Sequence, residues 1–243
     1  VGKGTRVGIL MTNRPECLAA AFGTALAGGV ATMLSTFSTK DELEHLLDIS
    51  CCSVLLLERS VLKKDFVELI EIIEPSISEC APGNLVSTKF PFLKFVATLG
   101  AGHAAVEDWR TFLARGVEVE DAQVLARANR NHASDPGVLF FSSGSTAMPK
   151  GILSAHRGVT LQLWRWPGYF KSRGDIRVWS ANGFFWSGNF AMALGGALTG
   201  GGALVLQSTF QAEEALELMD KEMVNQVLAW PHQWAQLVSA TNW

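Results

Sequence analysis

The chain has 243 residues, 48% of them hydrophobic and 18% charged, with a formal net charge of -3 and a pI near 6.0. That length fills one large or two small domains and that composition supplies a sizeable core, which excludes a disordered chain. No basic stripe is present to track a phosphate backbone, which excludes a nucleic-acid binder.

The opening reads as a βαβ unit. A strand from Arg6 to Met11 meets a turn at Thr12, Asn13 and Arg14, and Pro15 suits a first helical position because its missing N–H has no partner there anyway. A helix over Glu16–Ala27 then stops at Gly28 and Gly29, and a strand follows from Val30 to Leu34. Thr39 and Glu42 have capping-box spacing and start a helix that runs to about Ser50. Ser53–Leu57 is the next strand. Asp65–Glu74 alternates apolar and acidic residues at helical spacing, while Pro75–Pro91, with three prolines and little periodicity, reads as a surface excursion. Phe92–Thr98 is a strand, Val106–Ala114 a short helix, and Gly116–Asp135 a polar approach to the strand Val138–Phe141.

Beyond Gly151 the alternation resumes with a strand at Ile152–Ser154, a helix from about Gly158 and a strand at Ile176–Ser180. An apolar helix Ser187–Leu198 and a strand Ala203–Gln207 come next. A helix Ala212–Glu222, a strand Asn225–Ala229 and a helix Pro231–Ser239 close the chain. Repeated β then α elements predict an α/β fold with parallel sheets covered by helices. Two subdomains are expected, 1–175 and 176–243. The 35 residues from Val178 to Ala212 carry no Asp, Glu, Lys or Arg. Their length alone permits a membrane span, but Gly195, Gly196, Gly200, Gly201 and Gly202 divide them into a buried helix, a turn and a strand.

Cys17, Cys51, Cys52 and Cys80 show no C-x-x-C spacing, and neighbours such as Cys51 and Cys52 do not readily share one tetrahedral zinc. They read as buried free thiols suited to a reducing cytoplasm. No basic n-region leads into an apolar stretch at the start, and Val1 lies so near the first strand that further sequence upstream is expected.

The chemistry concentrates in Ser142, Ser143, Gly144, Ser145, Thr146, Ala147, Met148, Pro149, Lys150 and Gly151. Glycine lets backbone approach an anion closely, hydroxyls and N–H groups donate hydrogen bonds without bulk, and Lys150 adds a mobile positive charge. This is a phosphate-holding composition. A Walker A reading fails, because counting from Gly144 puts Pro149, which has no N–H, at the second glycine and Gly151 at the Ser/Thr that holds magnesium. A Ser/Gly-rich surface turn is the plain alternative.

Nine of these ten positions match the pattern Ser/Thr-Ser-Gly-Ser/Thr-Thr-Gly-x-Pro-Lys-Gly, and the segment resembles the signature of the adenylate-forming superfamily, which includes acyl-CoA synthetases, luciferases and peptide-synthetase adenylation domains. Ala147 is the one departure, and its β-carbon restricts the loop if that position needs positive φ. The turn Asn13-Arg14-Pro15-Glu16 and the pair Gly28-Gly29 are similar to the opening βαβ region of that family. Asn182-Gly183-Phe184-Phe185-Trp186-Ser187-Gly188 sits where the family carries a motif bordering the acyl pocket. The resemblance therefore implies substrate contacts at Phe185, Trp186, Ser187 and Gly188; ordinary core packing is the competing account of such an aromatic run. His156 falls where family members commonly carry a histidine, and His232 lies in Trp230-Pro231-His232-Gln233, which resembles a helix start of fatty-acyl members; both read first as structural. Trp164, Trp166, Trp179 and Trp186 lack the basic interleaving of a base-stacking platform. Arg165, Arg173 and Arg177 read as a solvated face.

What the resemblance implies is an AMP-forming ligase. A carboxylic acid, a fatty acid among the possibilities, attacks the α-phosphate of ATP, and the acyl group then passes from AMP to a thiol, usually CoA. The loop would hold the β and γ phosphates, Lys150 would offset their charge, and Ser142 would lie near the Mg²⁺ that accompanies ATP. The sequence reaches Trp243 without the family's adenine and ribose motifs, hinge or C-terminal domain. The expectation is an N-terminal piece of such an enzyme that does not adenylate alone. A nucleotide-binding or partner-binding module and a peptide-synthetase domain are the alternatives.

Overall fold

The computed structural model describes residues 1–142, 148–171 and 174–243. They divide into two units, one of Val1–Met11 and Glu16–His156, the other of Thr12–Pro15 and Arg157–Trp243.

The first unit is built on β1 (Arg6–Leu10), β2 (Val30–Met33), β3 (Val54–Glu58), a small hairpin of β4 (Ser60–Val61) and β5 (Lys64–Asp65), then β6 (Phe95–Leu99), β7 (Val106–Asp108), β8 (Pro136–Ser142) and β9 (Lys150–Ala155). Seven of these form one sheet in the order β7-β6-β3-β1-β2-β8-β9. β3 is buried at every position, as a parallel strand covered on both faces must be. The helix Lys40–Ser50 starts with the expected capping box: the Thr39 N–H donates to Glu42 Oε2 at 2.8 Å and the Glu42 N–H donates to Thr39 Oγ1 at 3.3 Å. Its Leu43, Leu46 and Leu47 enter the core beside Leu55, Leu57, Phe66 and Ile70. The helix Phe66–Ile73 is capped by Asp65, whose carboxylate accepts from the N–H groups of Val67 and Glu68.

The expected parallel sheet is present with one antiparallel strand, and three expectations are corrected in this unit. The sheet is mostly parallel, but β9 runs antiparallel to β8, because the connection between Ser142 and Lys150 has too few residues for a crossover. Val106–Ala114 is not one helix: Val106–Asp108 pairs with β6, and the helix Trp109–Ala114 starts only where the Asp108 carboxylate accepts from the Thr111 N–H. The stretch 75–91 is not merely a surface excursion, since Ile77, Leu85 and Phe90 are buried in the core and Ser87 donates to the buried Glu74 carboxylate. The polar approach 116–135 contains a helix, Asp121–Ala128.

The second unit carries β10 (Arg177–Ser180), β11 (Ala203–Leu206) and β12 (Gln226–Val227), all parallel, in the order β11-β10-β12. Trp179 is fully buried and packs with Val205, Ala215 and Leu237. The expected apolar helix 187–198 is present, but its middle, Phe190–Leu194, is a π-helical turn between Ser187–Asn189 and Gly195–Leu198. A β-carbon on Gly195 would lie 2.6 Å from the Leu163 carbonyl oxygen, so glycine is what allows that helix to approach the helix His156–Phe170. Arg177 is not simply a solvated residue: its guanidinium pairs with Glu222 at 2.8 Å. Among the described residues no helix is long and apolar enough to cross a membrane.

Candidate functional site

The phosphate-loop segment is the connection between β8 and β9. Val138, Leu139 and Phe140 are buried and anchor β8 in the sheet. Ladder pairing places Ser142 directly opposite Lys150, and Phe141 opposite Gly151. Residues directly opposite in an antiparallel ladder present their side chains to the same face, so the Ser142 hydroxyl and the Lys150 amine share one face at the mouth of the loop. Ser142 is half-buried and Lys150 exposed, as is Met148. Ser143, Gly144, Ser145, Thr146 and Ala147 lie outside the described residues. Pro149 is half-buried, and its carbonyl accepts a hydrogen bond from His45 Nε2 at 2.9 Å.

The turn carrying the aromatic run is organised by amides. Asn13, 3% exposed, donates from Nδ2 to the carbonyls of Asn182 at 2.8 Å and Ser180 at 3.2 Å, and its Oδ1 accepts from the Phe184 N–H at 3.2 Å. Asn189 also donates to the Asn182 carbonyl. A β-carbon on Gly183 would overlap the Phe185 ring, so this turn requires glycine. Phe184 and Phe185 are buried, whereas Trp186, Ser187 and Gly188 are exposed. Of the four residues expected to contact substrate, Phe185 is thus part of the packed interior and the other three are open to solvent.

His156 follows β9 and lies against β8. A β-carbon on Gly137 would stand 2.6 Å from its Nδ1, and its N–H donates to the Asp135 carbonyl at 3.0 Å. His232 sits in the first turn of the helix Pro231–Val238 and is exposed. Cys17 and Cys52 are buried, and Cys51 and Cys80 are partly exposed; all four are free thiols. Burial, with a smaller contribution from the Glu58 charge, pushes the Cys17 thiol up to about 12, and burial pushes Cys52 up to about 11. Neither is a nucleophile at neutral pH. Among the described residues no group of three or more His, Cys, Asp or Glu side chains is placed to hold a metal ion.

Sequence reasoning missed two residues. Asn13 was visible only as part of a turn, although an Asn ahead of Pro-Glu is the kind of side chain that binds neighbouring backbone. His45 gave no signal at all, because its partner is 104 residues away.

A family model of AMP-binding enzymes matches residues 1–242. The chain belongs to that family. Within it, the chain is 28% identical over 202 residues to the 3-hydroxybenzoate–CoA/4-hydroxybenzoate–CoA ligase of Thauera aromatica, covering 83% of this chain and 34% of that protein. It is 30% identical over 161 residues to 4-coumarate–CoA ligase 2 of Oryza sativa subsp. japonica, covering 65% of this chain and 26% of the relative. The anthranilate CoA ligase AuaEII, solved with anthranoyl-AMP, superimposes with a TM-score of 0.81 at 22% identity, over all of this chain and 43% of that one. The chain therefore matches about a third or less of the curated relatives' length and less than half of the solved AMP-binding enzyme.

Proposed function

We propose that the protein carrying this chain is an AMP-forming acid–thiol ligase. A carboxylate oxygen attacks the α-phosphorus of ATP, the bond to the β-phosphate oxygen breaks, and pyrophosphate leaves; the thiolate of CoA then displaces AMP from the acyl carbon. The observation that carries this reading is the hairpin that sets Ser142 and Lys150 side by side at the mouth of a loop whose sequence is made for phosphate. The amine offsets charge on the β and γ phosphates, and such a step rests on positioning and electrostatics rather than on covalent chemistry by the protein. A Mg²⁺ accompanying ATP would supply charge neutralisation on the phosphates. The half-buried Ser142 hydroxyl fits as an oxygen ligand for it.

On the acid side, the turn held by Asn13 offers Trp186, Ser187 and Gly188 to the acyl group, with the buried Phe185 ring 5.6 Å from that of Trp186. An apolar acid suits that surface, and a fatty acid is the substrate class carried forward from the sequence; the matched ligases include ones named for aromatic acids and ones named for long-chain fatty acids. Four free thiols are consistent with work in the reducing cytoplasm.

Carboxylate-dependent exchange of pyrophosphate into ATP by the full-length protein tests the reading. Lys150→Ala is expected to slow that exchange about 10²-fold, the scale of losing one preorganised electrostatic group. ATP binding without any exchange by the full-length protein would instead make this a nucleotide-binding module, and acyl transfer to a carrier-domain thiol in place of CoA would make it a peptide-synthetase domain.

A further inference from the structure

We infer that His45 is a positioning residue for the phosphate loop, a role that rests on the ligase reading above. The observation is the 2.9 Å contact between His45 Nε2 and the Pro149 carbonyl oxygen. A carbonyl only accepts, so Nε2 carries the hydrogen and donates. The bond is a fixed strut from the helix to the loop. Pro149 has no N–H, so its carbonyl is the one backbone group through which the loop can be tied at that residue. The next residue is Lys150, opposite Ser142 in the ladder. A donor on Pro149 consequently fixes the peptide plane that aims the Lys150 backbone.

The strut is delivered from a rigid element. Leu43, Leu46 and Leu47 on the same helix are 0–5% exposed in the core, and the capping box closes its first turn. Ahead of the cap, the Lys64 ammonium donates to the carbonyls of Thr36, Phe37 and Ser38 at 3.2, 3.1 and 2.8 Å, which holds the approach to the helix. His45 itself borders a cavity of about 420 Å³ shared with Asp41, Glu44, Asp48, Lys89 and Phe90. Lys89 pairs with Glu44 at 2.7 Å across it. Pro149 is itself only half-buried, so a carbonyl that loses the imidazole can be rehydrated. Removal of the donor should therefore loosen the loop while leaving the fold intact.

The test compares His45→Phe, which keeps a ring and loses the donor, with His45→Gln, whose amide places an N–H near the position of Nε2. In the full-length protein, His45→Phe is expected to raise KM for ATP in the exchange assay about tenfold, the cost of a misplaced binding group, with KM for the acid unchanged. His45→Gln is expected to restore KM for ATP to within about threefold of the parent. Amide hydrogen exchange on the 243-residue chain supplies a readout independent of turnover: His45→Phe should speed exchange over 148–152 and leave 54–58 as it was. Unchanged ATP dependence in His45→Phe, with Lys150→Ala still impaired, overturns the role of His45 alone. Equal losses in both His45 variants, accompanied by faster exchange throughout the first unit, overturn it in favour of a purely structural histidine. A parent protein without carboxylate-dependent exchange overturns the ligase reading and this inference with it.

Discussion

The two units reach order by different means. In the first, β1 and β3 lie inside a seven-stranded sheet and Leu10, Leu55, Leu57 and Phe66 are fully buried, so the hydrophobic term is concentrated in one contiguous core. In the second, a three-stranded sheet supports smaller clusters around Val178 and Trp179, while Trp164, Trp230, Trp234 and Val238 are exposed. There, individual hydrogen bonds carry more of the specification: the aromatic turn is shaped by Asn13 and Asn189 rather than by burial alone. The lesson is that the phosphate-loop hairpin is mounted on the better-packed unit, and the turn proposed to meet the acid belongs to the one that depends on polar contacts.

Hydrogen exchange offers the widest test of this contrast. Amides of β1 and β3 should be the slowest in the molecule and those of β10 and β12 clearly faster, since protection follows burial and local contact density; slower exchange in β10 than in β3 would break the comparison. Among single substitutions, Phe66→Ala should have the largest effect, with denaturant titration expected to show a loss of about 3–5 kcal/mol for a fully buried aromatic ring. Asn13→Ala should cost about 1–3 kcal/mol, because it strands the Phe184 N–H and the Ser180 carbonyl inside the second unit. The same variant should raise KM for the acid in the exchange assay more than KM for ATP, and the reverse pattern would detach this turn from the acid side.

The smallest effect concerns Asp65. Partial burial raises its pKa, but the N–H of Glu68, the Arg59 guanidinium and the N–H of Val67 outweigh burial and hold the carboxyl below its ordinary value of 3.8. A carboxyl that is more acidic when folded binds protons more readily when unfolded. Its contribution is therefore complete above 3.8 and is lost as pH falls through the folded value. Asp65→Asn keeps a good cap but no titrating group, and acid unfolding curves should show it losing less stability than the parent as pH falls from 3.8 through the folded value.

Much of this was legible in the chain itself. The capping box at Thr39, the Pro15 helix start and the alternation of strands with helices are local signals, decided by hydrogen bonds and periodicities within a few residues. The segment from Ser142 to Gly151 carries its proposed chemistry in consecutive residues, which is why the family resemblance could be read there. Val106–Asp108 shows where such reasoning stops: its helical spacing was overridden by pairing with β6. Ile77, Leu85 and Phe90 lay in a proline-rich stretch without periodicity, and only the core they enter explains them.

The sequence by itself thus determined the α/β class and the family, and it supplied the segment proposed to hold phosphate. Tertiary structure decided which partners those residues meet: Lys150 beside Ser142 on an antiparallel hairpin, Asn13 inside a turn 169 residues further on, and His45 on the Pro149 carbonyl across 104 residues. The physical reason is that long-range hydrogen bonds leave no periodic trace in a sequence, because their geometry exists only after the sheet and its helices have packed.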